Sequence, residues 1–91
     1  AFLETAASAA EFLAQPELAA RYYGASEYQM ARVGAQREPA DAQFHEPVLA
    51  RVKSALGEVE YARQQAAARE LPLETIFAEA VAWAREVAAK K

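Results

Sequence analysis

The stretch of sequence that decides the fold begins with AARYYGASE (residues 19–27) and continues with LGEVEYA (56–62) and RELPLE (69–74). Alanine occurs three times in the first of these segments and supplies 25 of the 91 residues of the chain. Alanine is the strongest helix former, whereas glycine, which weakens helices, occurs only three times. The sequence therefore predicts an all-α fold, and it favours a helical-repeat fragment over a self-contained enzyme.

Apolar spacing and turn residues divide the chain into five helical segments. We expect them over about residues 2–14, 16–33, 40–56, 58–69 and 73–89. The last segment has the clearest period, with apolar residues at positions 73, 76, 77, 80, 81, 84 and 87 and Trp83 at the edge of this stripe. Short joints between helices favour antiparallel neighbours, so the helices should form hairpins.

Three residues predict local departures from regular helix. Gly24 lies inside the second helix, where a missing side chain suits the close approach of a neighbouring helix. Gly57 is placed to end the third helix in a left-handed conformation. Pro47 removes a backbone donor and clashes with the preceding turn, so it predicts a kink, or an end of the third helix near His45.

The first two predicted helices form a hairpin of about 33 residues, the length of one tetratricopeptide repeat. Part of the repeat's packing pattern is present, in Ala7, Ala19, Tyr23 and Ser26, while its tryptophan and closing proline are missing. The chain begins at Ala1, and its one methionine is the internal Met30. We therefore interpret residues 1–91 as a single repeat-like domain, a fragment of a larger regulator, whose first helix exposes an apolar flank through which it self-associates.

Residues 2–88 resemble the C-terminal helical region of bacterial regulators of the LuxR and MalT-like type, in which a signal-transduction ATPase precedes tetratricopeptide-like repeats. There the stretch typically reads "AARLLGAAE", a polar loop, then "LGEAAFAAAWAEGRALSLEEAV". The matching positions here are Ala19, Ala20, Arg21, Gly24, Ala25, Glu27, Leu56, Gly57, Glu58, Tyr61, Ala62, Ala66, Arg69, Leu71, Leu73 and Glu74. The departures are Gln65 for a common tryptophan, Ala68 for a glycine, Pro72 for a serine cap, and Pro47 in a helix usually free of proline.

This resemblance implies a cytoplasmic protein with a role in transcription regulation or signal transduction. Its matching residues are structural, so the resemblance carries no catalytic residue to this chain. The family's ATPase and DNA-binding parts lie outside the matching stretch. The implied partners are neighbouring repeats of the parent protein or a separate partner protein, and a homodimer is also possible.

Composition argues against several other classes of function. The net charge is −3 and the pI about 5.1, which is unfavourable for direct contact with nucleic acid. The chain has no cysteine for a disulfide or a thiolate metal site, and no apolar run long enough to span a membrane. It also lacks the Gly-Lys-Ser/Thr sequence of a phosphate-binding loop. We therefore expect no cofactor, no metal and no membrane contact.

The candidate site residues are aromatic rather than catalytic. His45, the one histidine, stands beside Glu46 without a placed nucleophile, so we interpret it as a polar residue at a helix kink. Tyr22 and Tyr23 lie about 100° apart on a helix, and we expect that both cannot face one core. We assign the ligand or partner surface to Tyr22, Tyr23, Tyr28, Phe44 and Trp83.

Two functions remain open from the sequence. The first is a non-catalytic protein-interaction or scaffolding module of a bacterial transcriptional or signalling regulator. The alternative is a small-ligand sensor with a pocket between the second and third helices, lined by Tyr22, Tyr28 and Phe44.

Overall fold

The computed structural model describes residues 2–90, and these residues form five α-helices. They are α1 (Phe2–Phe12), α2 (Pro16–Arg32), α3 (Pro39–Leu56), α4 (Glu58–Arg69) and α5 (Leu73–Ala89). No strand occurs within this range. The predicted all-α fold is therefore confirmed, and each predicted helix agrees with an observed one to within two residues at either end. None of the five helices is long and apolar enough to cross a membrane.

The second helix is the centre of the molecule, because α2 packs against each of the other four helices. Its contact with α1 is lined by small side chains. They include Ala6, Ala7 and Ala10 on α1, and Ala19 and Ala20 on α2, all of which are buried. Small residues let two helices approach closely, so α1 and α2 form the tight hairpin that the sequence predicts.

On another side of α2, the helix α4 passes directly over Gly24. A side-chain carbon placed at Gly24 would lie 3.0 Å from the Cα atom of Gln65 on α4. This contact confirms that Gly24 marks the close approach of a neighbouring helix. The Gln65 side chain then donates a hydrogen bond to Glu27 on α2 at 3.0 Å, and the Tyr61 hydroxyl donates to the same carboxylate at 3.3 Å.

The fifth helix turns back over the first hairpin, and its main contacts are with α1 and α2. Trp83 reaches the ring of Tyr22, with 6.2 Å between ring centroids, and Phe77 reaches Phe2 at 5.2 Å. A regular stack of hairpins would instead place a fifth helix against α3 and α4. Ile76 is buried by this arrangement, whereas Leu73 stays half-exposed, so only part of the predicted apolar stripe is covered.

Two helices end in the same left-handed turn. At the end of α1, Ala14 has a φ of +60° and the Gln15 N–H donates to the Ala10 carbonyl at 2.8 Å. At the end of α2, Gly34 has a φ of +69° and the Ala35 N–H donates to the Met30 carbonyl at 2.8 Å. These are Schellman turns, in which glycine is the favoured left-handed residue. The first turn therefore holds an alanine in a conformation that a side chain disfavours.

The junctions around α3 differ in part from prediction. Gly57 has the predicted positive φ of 83°, but its ψ of 159° is extended, so a single residue separates α3 from α4. Of the two alternatives predicted at Pro47, an end of the helix near His45 was wrong, because α3 continues through Pro47 to Leu56. Pro47 is exposed, and the Gln43 carbonyl that loses its intrahelical donor also belongs to an exposed residue, where water can replace the missing bond.

Candidate interaction surface

Tyr22 and Tyr23 do not belong to an exposed surface, because both side chains are fully buried. Tyr22 points towards α5 and Trp83, and Tyr23 points towards α3, where its ring meets His45 edge-on at 5.5 Å. The prediction that both cannot face one core was wrong, because both belong to the same buried cluster. The two side chains do diverge, but α2 is surrounded, so each direction leads to a different neighbouring helix.

The other three predicted site residues have different neighbours in the structure. Tyr28 is half-buried, with the guanidinium groups of Arg32 and Arg69 at 5.8 and 5.9 Å from its ring centroid. Trp83 is half-buried, and its Nε1–H donates to Gln15 at 3.2 Å. Phe44 lies on α3 and is 60% exposed.

A pocket lined jointly by Tyr22, Tyr28 and Phe44 is not formed. Tyr22 faces α5, whereas Phe44 lines a cleft beside α1. A cavity of about 390 Å³ does lie between α2 and α3, but none of the three predicted residues lines it. Its lining comes from Glu27, Met30, Ala31, Ala35, Gln36, Arg37, Ala42 and Glu46, so the predicted lining was wrong. The angular position of a residue on its own helix did not show which neighbouring helix it would meet.

Phe44 belongs to a cleft between α1 and α3, which we call the α1–α3 cleft. It has a volume of about 470 Å³ and is lined by Thr5, Ser8, Ala9, Glu11, Phe12, Phe44, Pro47, Val48 and Arg51. Phe12 is 85% exposed, so two phenylalanines from adjacent helices stand at one opening. The side chains of Glu11 and Arg51 join the two helices beside them, with their closest atoms 3.0 Å apart.

Phe12 and Pro47 were not among the predicted site residues. The sequence did contain a signal for Phe12, because this residue lies outside the buried stripe of α1 that Leu3, Ala6 and Ala10 form. A large aromatic residue off the buried stripe of a helix must either meet another element or remain exposed. The exposure of Phe12 also confirms that α1 carries an apolar flank, as the sequence predicts.

A buried polar cluster fixes the walls of this cleft from within. Arg37, from the loop between α2 and α3, places Nε 2.6 Å from Oε2 of Glu4 at the start of α1 and Nη1 3.7 Å from Glu27 on α2. His45 on α3 places Nδ1 2.7 Å from the Tyr23 hydroxyl and Nε2 3.8 Å from Glu4. The cluster thus ties α1, α2, α3 and their connecting loop to one another.

The environment of this cluster shifts the ionisation of its members. Burial raises the pKa of Tyr23 to about 12, with the Glu4 carboxylate adding to the effect, so its hydroxyl stays protonated. Burial lowers the pKa of His45, and the nearby Arg37 cation lowers it further, against the opposing effect of Glu4. His45 is therefore neutral at pH 7. The Glu4 carboxylate favours the His45 tautomer that carries its proton on Nε2. In this tautomer Nδ1 is an acceptor, and the Tyr23 hydroxyl donates a hydrogen bond to it.

Other charged pairs connect helices at the surface. Arg21 on α2 makes a two-pronged hydrogen bond to Glu79 on α5, at 2.7 and 2.9 Å. Because both side chains are partly exposed, this pair orients α5 more than it stabilises the fold. Across residues 2–90, no group of three His, Asp or Glu side chains is placed to hold a metal ion.

Comparison of the sequence and structure with protein-family models, curated proteins and solved structures finds no match.

Proposed function

We propose that this chain is a non-catalytic protein-interaction module that binds an apolar segment of a partner in the α1–α3 cleft. The observation that carries the proposal is the exposure of Phe12 and Phe44 at one opening. The partner is a neighbouring repeat of the parent protein or a separate protein. The module would then relay the occupancy of this cleft within a cytoplasmic bacterial regulator of the LuxR/MalT-like type, which residues 2–88 resemble in sequence.

The energetics favour burial of these two side chains. Moving a phenylalanine from water to an apolar environment contributes about 1.5–3 kcal/mol. Two such residues at one cleft, with Pro47 and Val48 beside them, supply the aromatic anchors that dominate many interfaces. The ion pair of Glu11 with Arg51 provides a polar edge of the kind that surrounds an apolar interface core.

The cleft is also held in shape before a partner arrives. Its two walls, α1 and α3, are joined outside by the ion pair of Glu11 with Arg51. Inside, Arg37 holds Glu4 on α1 and Tyr23 holds His45 on α3. A preformed site avoids part of the ordering cost of binding. This rigidity supports a docking role, because Phe12 and Phe44 need not be reorganised to receive an apolar segment.

The proposal is tested by replacing both cleft phenylalanines in the full-length protein, as Phe12→Ser with Phe44→Ser. The matched control is Val33→Ser with Val59→Ser, which removes two other exposed apolar side chains. Partners that co-purify with the wild type and the control should be lost from the cleft variant. Equal recovery of the same partners with both double variants would contradict the proposal.

A second copy of the chain is a particular case of such a partner. If copies associate through the α1–α3 cleft, sedimentation velocity should show a concentration-dependent increase in mass that the cleft variant lacks. A monomer at every concentration would exclude the second copy and restrict the partner to a neighbouring repeat or another protein.

A further inference from the structure

A second cavity lies at the other side of α1, between the start of α1, the second half of α2 and the first turns of α5. We call it the α5 cavity. Its volume is about 270 Å³, and it is lined by Phe2, Leu3, Ser26, Gln29, Met30, Leu73 and Phe77. It shares no lining residue with the α1–α3 cleft.

One polar group in this apolar wall, the hydroxyl of Ser26, has no hydrogen-bond partner in the described part of the chain. Ser26 is 7% exposed, and its hydroxyl makes no hydrogen bond within residues 2–90. A serine inside a helix commonly bonds back to the carbonyl one turn earlier, which Ser26 does not do. Its oxygen is not among the fully buried unpartnered atoms, so it is accessible from the cavity. The side-chain amide of Gln29, three residues further along α2, is also unbonded among the described residues. The cavity thus offers hydrogen bonds that the protein does not use.

The rest of the lining sets the chemistry of an occupant. The rings of Phe2 and Phe77 are tilted against each other with their centroids 5.2 Å apart, and Leu73 and Met30 complete an apolar wall. None of the lining side chains carries a charge, so an ionised ligand would lose hydration without finding a counter-charge. The volume falls just below the range of about 300–1,000 Å³ that holds drug-sized ligands, so the occupant is smaller than these.

We propose that the α5 cavity binds a small, neutral, amphipathic molecule whose apolar body packs against Phe2, Leu73 and Phe77 and whose polar group bonds to Ser26. Such a ligand touches α1, α2 and α5 together. Its binding therefore stabilises the docked position of α5, which otherwise leaves Leu73 and Phe77 half-exposed. This role is separate from partner binding in the α1–α3 cleft.

The test uses three aromatic probes of similar size in a titration followed by amide NMR shifts: benzyl alcohol, toluene and benzoate. Benzyl alcohol should give saturable shifts at residues 26–30 and 73–77, with a dissociation constant of the order of 1 mM. Toluene should bind at the same residues more weakly, because it cannot bond to Ser26. Benzoate, which is charged at pH 7, should bind at least ~10-fold more weakly than benzyl alcohol.

Two kinds of variant make the result specific. Ser26→Ala should weaken benzyl alcohol by ~5-fold, the effect of one neutral hydrogen bond, and leave toluene unchanged. Ser54→Ala, at an exposed position of α3, is the matched control and should change neither. Leu73→Trp, which fills the cavity, should remove binding of both probes. Met30→Trp provides the same block from α2 if the Leu73 variant does not fold.

Three outcomes would overturn the proposal. Shifts that do not saturate, or that appear equally around Phe12 and Phe44, would show non-specific contact with apolar surface. If Ser26→Ala weakened the binding of benzyl alcohol and of toluene equally, the Ser26 hydroxyl would not be bonded to the ligand. Concentration-dependent shifts at Leu73 and Phe77 without any probe would show that a second copy occupies the cavity. None of these results depends on whether Phe44 binds a partner.

Discussion

The hydroxyl oxygen of Tyr23 lies 2.7 Å from Nδ1 of His45, so a buried hydrogen bond joins the middle of α2 to α3. The hydroxyl of Tyr22 is buried and has no partner of hydrogen-bond geometry in the described part of the chain, although the nearby Glu79 carboxylate adds to the effect of burial in raising its pKa to about 12. Two consecutive buried tyrosines on one helix thus differ in the hydrogen bonding of their hydroxyl groups.

This difference predicts opposite responses to the same substitution. Tyr23→Phe should lower the free energy of unfolding by about 1–3 kcal/mol, because it leaves the His45 ring nitrogen buried and unpaired. Tyr22→Phe should be neutral or stabilising by up to ~1 kcal/mol, because it removes a hydroxyl that already lacks a partner. Urea denaturation of both variants measures the contrast. Equal losses of stability would contradict the assigned hydrogen bonds.

His45 predicts a pH dependence of stability. Burial lowers its pKa in the folded protein below the ordinary value of 6.5, and Arg37 acts in the same direction. As the pH falls through 6.5, the unfolded chain binds a proton that the folded chain does not, so the folded state loses stability. The loss stops below the folded pKa, and its slope is at most about 1.4 kcal/mol per pH unit for one group.

The measurement is denaturation of the wild type and His45→Gln between pH 7.5 and 5. The wild type should lose stability over this interval, and the variant should lose less. Four other groups face the same site and remain in both proteins, so their contribution to the pH dependence is common to the two profiles. They are Glu4, Arg37, Asp41 and Tyr23. Superimposable pH profiles would show that His45 does not titrate differently in the two states.

The two Schellman turns form a matched pair for a third prediction. Ala14→Gly should raise stability by about 1 kcal/mol, because glycine adopts the left-handed conformation without a side-chain clash. Gly34→Ala should lower it by a similar amount, since a side chain there meets no atom within 4 Å and only the positive φ is penalised. Thermal unfolding of the two variants checks the signs. A loss of stability in Ala14→Gly would contradict the left-handed assignment of Ala14.

The crossing of α4 over α2 gives a fourth prediction. Gly24→Val should destabilise the protein by about 1–3 kcal/mol, because the new side chain meets the Gln65 backbone, which cannot rotate away. Ala31→Val, at an exposed position of α2, changes helix propensity alone and should cost less than about 0.7 kcal/mol. Equal effects of the two substitutions, compared by urea denaturation, would mean that α4 does not pack on Gly24.

These particular residues show what the sequence does and does not determine. The helices follow from local features, since Pro16 and Pro39 begin α2 and α3, and Gly34 and Gly57 follow their ends. The close approach at Gly24 was also predictable, because a glycine inside an alanine-rich helix, where no turn or helix end requires it, usually has a packing reason.

The arrangement of the helices was less accessible to local reasoning. The positions of Tyr22 and Tyr23 on α2 fix the directions of their side chains, but not the number of helices that surround α2. The return of α5 depends on contacts such as that between Arg21 and Glu79, which are 58 residues apart in sequence. The α1–α3 cleft was missed for the same reason, since Phe12 and Phe44 belong to different helices.

Site-specific photo-cross-linking in cells that produce the full-length protein tests whether the α1–α3 cleft is an interaction surface. A benzophenone amino acid replaces Phe44 in the cleft or, as a control, Val59 on α4, which is 77% exposed and also apolar. We expect a discrete adduct with a protein segment from position 44, lost when Phe12→Ser is added, and no such adduct from position 59. No adduct at position 44, or the same adducts from both positions, would contradict the proposed role of the cleft.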